Sequence, residues 1–545
     1  MHIYKIKKNL SVRWIVLTME HLGLFLSILI VGCGSVQFPP NFKFGAAISS
    51  YQAEGAWNED GKGESMWDNF VHKMPSPIAD NATGDVAADS YHLWKEDVRI
   101  ASELGLDYYR FSISWPRILP NGLPNEINEA GVEYYNNLIN GLLEAGIEPV
   151  VTLYHWDLPT MFQDFGGWMN PLIADWFGDY SRVVFALFGD RVKTWLTINE
   201  PLIICEMSYG AGVMAPAIKE DKIAPYICNK NILLAHAKAY RVYDREFRKF
   251  YGGRVSIANN IAWFEPLTPA DTYLAEMAMQ NAAGRYAHAI FSRQGGWPPE
   301  IEKLMFETSI REGYSSSRLP KFTRAEKVFV RGTADFFGLN YYTGRTVRKA
   351  EPGEEVGPWF SSGYKEINAI MEVPNDAYSS SSAVIPVYSK GLRSLLCWIK
   401  KAYGNVQILI TENGFPGSNS GLNDYDRIKF MKEHLEQVSL AIHEDGVNVI
   451  GYTFWSLFDN LEWLDGYTIR FGLYQVDFND PERNRVARLS AQFYKCVIIQ
   501  HSVDVPETCF NPDTRARRQT SLPSLPNLSR TISNDTKDLK KERNI

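Results

Sequence analysis

Residues 194–200 read Thr-Trp-Leu-Thr-Ile-Asn-Glu, a run of β-branched and aromatic residues that finishes on an amide and a carboxylate. That composition is a strand's, because branched and aromatic side chains fit a pleated, packed surface. Seven further runs share it: Phe42–Ile48, Tyr108–Ser114, Pro149–His155, Arg254–Asn260, Phe336–Tyr342, Gln407–Asn413 and Val449–Ser456. Between them lie amphipathic helical stretches such as Ala130–Ala145, Leu172–Phe188, Asn231–Phe250, Gly391–Tyr403 and Asp424–Asp445. Strand and helix in alternation require a parallel sheet, and eight such units close on themselves. The expected fold class is α/β, a single (β/α)8 TIM barrel with long loops over its C-terminal face.

The polar endings carry the next step. Several runs are apolar and then stop on ionisable or amide residues: His155, Asn199 with Glu200, Asn259 with Asn260, Asn340, and Glu412 with Asn413. In such barrels the C-terminal strand ends open on the functional face. Scattered at random along buried strands, unpaired polar groups would cost a few kcal/mol each, so their shared placement points to one polar pocket. The polar stretch 350–383, with serines at 379–382, is expected as a long loop above the same mouth.

The chain has 545 residues, 45% hydrophobic and 13% aromatic, which is globular composition. Lysine and arginine number 56 against 63 aspartates and glutamates, a net charge of −7 that offers no basic field for a phosphate backbone, so nucleic acid is not a partner. Lys5, Lys7, Lys8 and Arg13 precede the apolar run Leu22–Val31, and Gly32, Gly34 and Ser35 follow it. That order is a signal peptide's, with cleavage expected near residues 33–37 and a secreted product without stable membrane association. The apolar run is too short to span a bilayer. Met19 is an alternative start to Met1. The expected domains are therefore a signal at 1–35, a barrel domain at 36–505, and a disordered polar tail at 511–545, where no aromatic residue remains. Of the six cysteines, Cys205 and Cys228 could close a local loop in an oxidising compartment. Cys496 and Cys509 are a weaker second pair, and buried free thiols are the alternative for all four. Asn81-Ala82-Thr83 is a glycosylation sequon in a secreted chain.

Cleaving an acetal with retention takes two carboxyl groups about 5–5.5 Å apart, one protonated and one ionised. Glu200, ending the fourth strand in TINEP, and Glu412, ending the seventh in ITENG, are the obvious pair.

The motifs FKFGAAISSYQAEGAWNEDGKG, YYRFSISWPRI, LYHWDLP, TINEP, FFGLNYYT, ITENG and WSLFDNLEW stand in this order between Phe38 and Val503. Through them the chain resembles the family 1 glycoside hydrolases, the β-glucosidase family, and within it the secreted insect β-glucosidases and their myrosinase-like relatives. The resemblance implies a retaining β-glycosidase acting on terminal β-D-glucosides, with galactosides or fucosides as further substrates. It makes Glu200 the acid/base and Glu412 the nucleophile, with Arg110 and Tyr342 supporting the nucleophile. It makes Gln52, His155, Trp156, Asn199, Asn340, Tyr342, Trp455, Glu462 and Trp463 the sugar-facing residues. One departure stands out: Val384 occupies the place where the family usually carries an aglycone-platform tryptophan, which leaves Trp359 of the long loop as a substitute platform.

Other chemistries fail on spacing. Five residues separate Gly55 from Gly61 where a phosphate loop needs four, and Gly63 stands where Ser or Thr should. H-E-x-x-H and Gly-x-Ser-x-Gly are both absent, so neither zinc hydrolysis nor serine chemistry is supported, and no metal or cofactor is expected. Two alternatives share the barrel. One is a non-catalytic glycoside-binding protein, disfavoured because both glutamates are present; the other is a transglycosidase, which the sequence does not separate from a hydrolase. A dimer is allowed by the sequence but not required.

Overall fold

The computed structural model describes residues 37–359, 361–417 and 421–511. Eight strands, β1 (Lys43–Ala47), β2 (Tyr108–Ser112), β3 (Glu148–Tyr154), β4 (Thr194–Asn199), β5 (Arg254–Asn260), β6 (Phe337–Asn340), β7 (Ile408–Asn413) and β8 (Val449–Trp455), close into a barrel in sequence order. Every neighbouring pair is parallel, and β8 returns to β1 with Trp455 beside Ala47. The expected barrel is the observed one. Helices sheathe it with their apolar faces inward; Glu129–Glu144, for example, buries Tyr134, Tyr135, Leu138, Ile139 and Leu142 at helical spacing.

The barrel interior is layered. At its N-terminal end Tyr108, Val150, Leu196, Ala258, Phe336 and Leu409 pack together. The Tyr108 hydroxyl meets Thr453 Oγ1 at 2.7 Å. Gly45 on β1 admits that ring, since a Cβ there would lie 2.3 Å from a Tyr108 ring carbon. This apolar plug closes one end. Polar side chains therefore gather at the other, where the ladders β4–β5 and β6–β7 slip register near Asn199 and Glu412.

Two expectations change in detail, and one choice left open is decided. The helix expected from Asn231 begins at Ala224, with Pro225 in its first turn, and the chain stays helical through a π turn at Tyr243–Phe247 to Tyr251. The polar stretch 350–383 is not wholly loop: Gly363–Tyr364 and Ala369–Glu372 join Gly344–Lys349 and Trp263–Pro266 in a four-stranded sheet. Arg348 pins this sheet by reaching Glu354 and Glu372 at 2.7 and 2.8 Å, which is why so polar a segment can pair. The cysteines are joined in both candidate pairs, Cys205–Cys228 and Cys496–Cys509, rather than buried as free thiols. Cys397 stays reduced.

Gln37 bridges Ser502, and Phe38 N–H donates to His501 O at 2.8 Å, so the start of the barrel domain is fastened to its last long helix. The expected signal segment up to residue 36, with Met1, Met19 and Cys33, and the tail from 512 lie outside the described residues.

Candidate active site

Glu200 ends β4 in the left-handed backbone region, at φ 51° and ψ 63°. Trp156 and Trp463 do the same at φ 77° and 45°. Each such residue costs about 1 kcal/mol or more, and three at one barrel mouth mark a place where side chains are aimed rather than merely packed.

Glu200 Oε1 accepts from Asn340 Nδ2 at 2.7 Å and from Asn260 Nδ2 at 2.9 Å. Burial, followed by the charge of Glu412, pushes this carboxyl up to about 8, while the two amides pull the other way. It is therefore protonated at neutral pH.

Glu412 has the opposite surroundings. Its Oε1 takes Arg110 Nη1 at 2.6 Å and its Oε2 takes the Tyr342 hydroxyl at 2.7 Å. Arg110 is itself held by further bonds, donating to Thr411 O at 2.7 Å, Asn199 Oδ1 at 2.7 Å and Thr152 Oγ1 at 3.1 Å, so that Nε and both terminal nitrogens have acceptors. A buried ion pair is tolerable only when its remaining donors are satisfied in this way. One carboxyl is built to hold a proton and the other to hold a charge.

A cavity of about 210 Å³ opens over both. Eight expected residues line it: His155, Trp156, Glu200, Tyr342, Glu412, Trp455, Glu462 and Trp463. The Trp156 and Trp463 rings lie 4.4 Å apart, and His155 stacks towards Trp455 at 5.8 Å, which makes an aromatic surface suited to the C–H face of a pyranose. His155 is held neutral, well below its usual range, by burial and by Arg110. Its Nε2 faces Asn199 Nδ2 at 3.1 Å, so the proton sits on Nδ1, which has no acceptor among the described residues. The Glu462 carboxyl is pushed well above the ordinary range by burial, then by Asp465, Glu412 and Glu200.

The remaining expected residues stand one layer back. Asn199 Oδ1 accepts from both Arg110 and Asn340. Its backbone carbonyl accepts Trp156 Nε1 at 3.0 Å. Gln52 is fully buried, and its amide donates to Leu461 O at 2.8 Å and Asn460 Oδ1 at 3.1 Å, anchoring the segment that carries Glu462 and Trp463. Trp359 does not reach the cavity: it stacks on Phe264 at 5.6 Å and leans on Tyr364 at 4.9 Å, so it cannot be the aglycone platform. Val384 does line the cavity, 61% exposed at its rim.

Sequence reasoning missed part of the lining. Asn260 was visible as a polar strand end but carried no assigned role, and it proves to hold Glu200. Ile203, Met207, Met214, Ala262, Thr343, Ile385 and Phe471 also line the cavity. As single apolar or small residues beyond strand ends they give no signal. Among the described residues no group of His, Cys, Asp and Glu could hold a metal ion, and no helix is long and apolar enough to cross a membrane.

The family model "Glycosyl hydrolase family 1" matches residues 35–503. Myrosinase 1 of Brevicoryne brassicae is 45% identical over 468 residues, covering 85% of this chain and 98% of that protein. The solved structure of aphid myrosinase superposes with a TM-score of 0.80 at 42% identity, covering 86% of this chain and all of that one. A rice β-glucosidase mutant in a covalent complex with Glc superposes with a TM-score of 0.77 at 36% identity, covering 84% of this chain and 98% of that one. With two buried glutamates in contrasting surroundings at the mouth of the barrel, this chain belongs to glycosyl hydrolase family 1 and is a β-glycoside hydrolase.

Proposed function

We propose that the protein is a secreted, retaining β-glycosidase that releases terminal non-reducing β-D-glucose by double displacement. The observation that carries this reading is the contrast between the two glutamates: Glu412 is ion-paired and hydrogen-bonded on both oxygens, while Glu200 holds its proton to about pH 8. In the first step a Glu412 oxygen attacks the anomeric carbon, the bond to the aglycone oxygen breaks, and the Glu200 proton passes to that oxygen. The product is a glycosyl ester on Glu412 and a free alcohol.

Esterification removes the Glu412 charge, one of the two influences that raise Glu200, so Glu200 can now take a proton from water. The water oxygen attacks the anomeric carbon, the ester bond breaks, and both carboxyls return to their starting states. Two inversions give net retention. The rice relative captured as a covalent complex with Glc supports such an intermediate on this fold.

Gln52, His155, Trp156, Asn199, Asn340, Trp455, Glu462 and Trp463 serve the sugar, those on the wall directly and those behind it by holding the wall. Secretion, cleavage near residues 33–37 and sugar on the exposed Asn81 belong to the same reading, supported by the two disulfides.

A 2-deoxy-2-fluoro-glucoside with a good leaving group tests the proposal, because slowed hydrolysis lets the ester accumulate. Peptide mapping by mass spectrometry is expected to find the adduct on Glu412. An adduct on any other residue, or inactivation without an adduct, contradicts it.

A further inference from the structure

Above the two glutamates the cavity wall is of one chemistry. Ile203 and Met207 lie in the segment directly after Glu200, and Met214, Val384, Ile385 and Phe471 line the same cavity. We propose that this outer wall selects glycosides whose aglycone is neutral, aliphatic and flexible, and rejects those whose aglycone carries an anion. The inference rests on the β-glycosidase reading of the same site and specifies the substrate class within it.

The charges decide against an anion. No lysine or arginine lines the cavity, and its ionisable wall groups include three carboxyls, Glu200, Glu412 and Glu462. A sulfate or carboxylate entering there loses water without meeting a lining cation; Glu200 and Glu462 are both pushed towards the neutral form, so the penalty is uncompensated desolvation, with Glu412 the one carboxylate it approaches. Arg345 stands behind the wall, buried, and is already committed. Its Nη2 donates to Val384 O at 2.9 Å, and its Nη1 to Gly344 O at 2.8 Å and Thr343 Oγ1 at 2.9 Å. The Thr343 hydroxyl in turn donates to Pro386 O at 2.7 Å, and the Asn260 amide nitrogen to Glu200. These bonds engage Arg345, Thr343 and Asn260 with the protein.

The shapes decide for flexibility. Ile203 and Met207 are four residues apart across the start of a π turn, so they stack on one side as a single apolar strip. Methionine adapts to irregular partners, and Val384 presents a small, exposed aliphatic group where a flat platform would rigidly favour planar rings. Phe471 is tied below, packed with Ala47 and Trp455.

Four O-glucosides with alkanol leaving groups of closely matched acidity separate the contributions: methyl, octyl, 7-carboxyheptyl and its methyl ester, compared by kcat/KM at pH 6.5 with p-nitrophenyl β-D-glucoside as a turnover control. Octyl is expected to exceed methyl by about tenfold or more from buried methylenes, and the carboxylate to fall about tenfold below its ester. Met207→Lys should raise the carboxylate-to-ester ratio about tenfold, read as a ratio within the one variant so that any general change in turnover cancels. A carboxylate equal to or better than its ester, no gain from methyl to octyl, or a ratio unmoved by Met207→Lys overturns the inference while leaving the glycosidase reading standing. Failure to turn over any of the glucosides, the nitrophenyl one included, overturns that reading and the inference with it.

Discussion

Asn340 Nδ2 lies 2.7 Å from Glu200 Oε1, and the same side chain's Oδ1 accepts the Thr411 hydroxyl at 2.6 Å, so one amide joins the protonated carboxyl to the residue preceding Glu412. The β6–β7 ladder slips register just before this point and so brings Asn340 beside Glu412. Acid and nucleophile are thus tied through one amide, which donates to the first and accepts from the neighbour of the second.

Removing the second amide isolates its electrostatic part. Asn260 donates to Glu200 at 2.9 Å and favours the ionised form, so Asn260→Ala lets burial and Glu412 raise this carboxyl further above about 8. One hydrogen bond of about 1 kcal/mol corresponds to roughly 0.7 of a pH unit. The alkaline limb of kcat/KM for an alkyl glucoside should move up by about that amount. A limb that stays or moves towards acid contradicts the assignment of Glu200 as acid.

The same carboxyl has a stability consequence of definite sign. Glu200 releases its proton near pH 8 when folded and near 4.5 when unfolded, so between these values the folded state binds more protons and stability falls as pH rises. The loss is on the order of 3 kcal/mol at pH 7. Glu200→Gln retains an acceptor for Asn260 and Asn340 but cannot ionise. Its Tm should exceed the parent's at pH 7, with the gap closing towards pH 4.5. A gap independent of pH contradicts the raised pKa.

Val384 occupies the cavity rim, which permits a test by restoration. Val384→Trp would supply a flat face worth about 1 kcal/mol in stacking, so kcat/KM for aryl glucosides should rise several-fold and that for small alkyl glucosides should not. Inhibition by free glucose should be unchanged. Equal effects on both substrate types would remove Val384 from the aglycone site.

The eight strands were legible because each is rich in branched or aromatic residues and several finish on polar ones, and Glu200 and Glu412 because both sit at such ends on long motifs. Gly363–Tyr364 and Ala369–Glu372 were not, since short strands rich in polar neighbours carry no period-2 signal and are held by Arg348 pairs that only tertiary structure brings together. Asn260 and Asn340 look alike in sequence as strand-end amides. Only the closed barrel shows that both converge on one oxygen. Met207 and Met214 were illegible for a different reason, because a methionine after a strand reads as core whichever way it faces.

The reading of the N-terminus has its own check. Material secreted from a eukaryotic host should begin near residues 33–37 and lose mass on enzymatic removal of N-linked sugar, with the sugar mapped to Asn81. Recovery of an intact Met1 on membranes would show retention instead of cleavage.

The central claim is that Glu200 donates a proton to the departing aglycone and Glu412 does not. Pre-steady-state glycosylation by Glu200→Ala tests it most directly, comparing a nitrophenyl glucoside, whose leaving group needs little protonation, with an alkyl glucoside, whose leaving group needs much. The alkyl substrate is predicted to lose about 10²–10⁴-fold in rate while the nitrophenyl substrate loses far less. Equal losses for the two substrates would contradict the assignment.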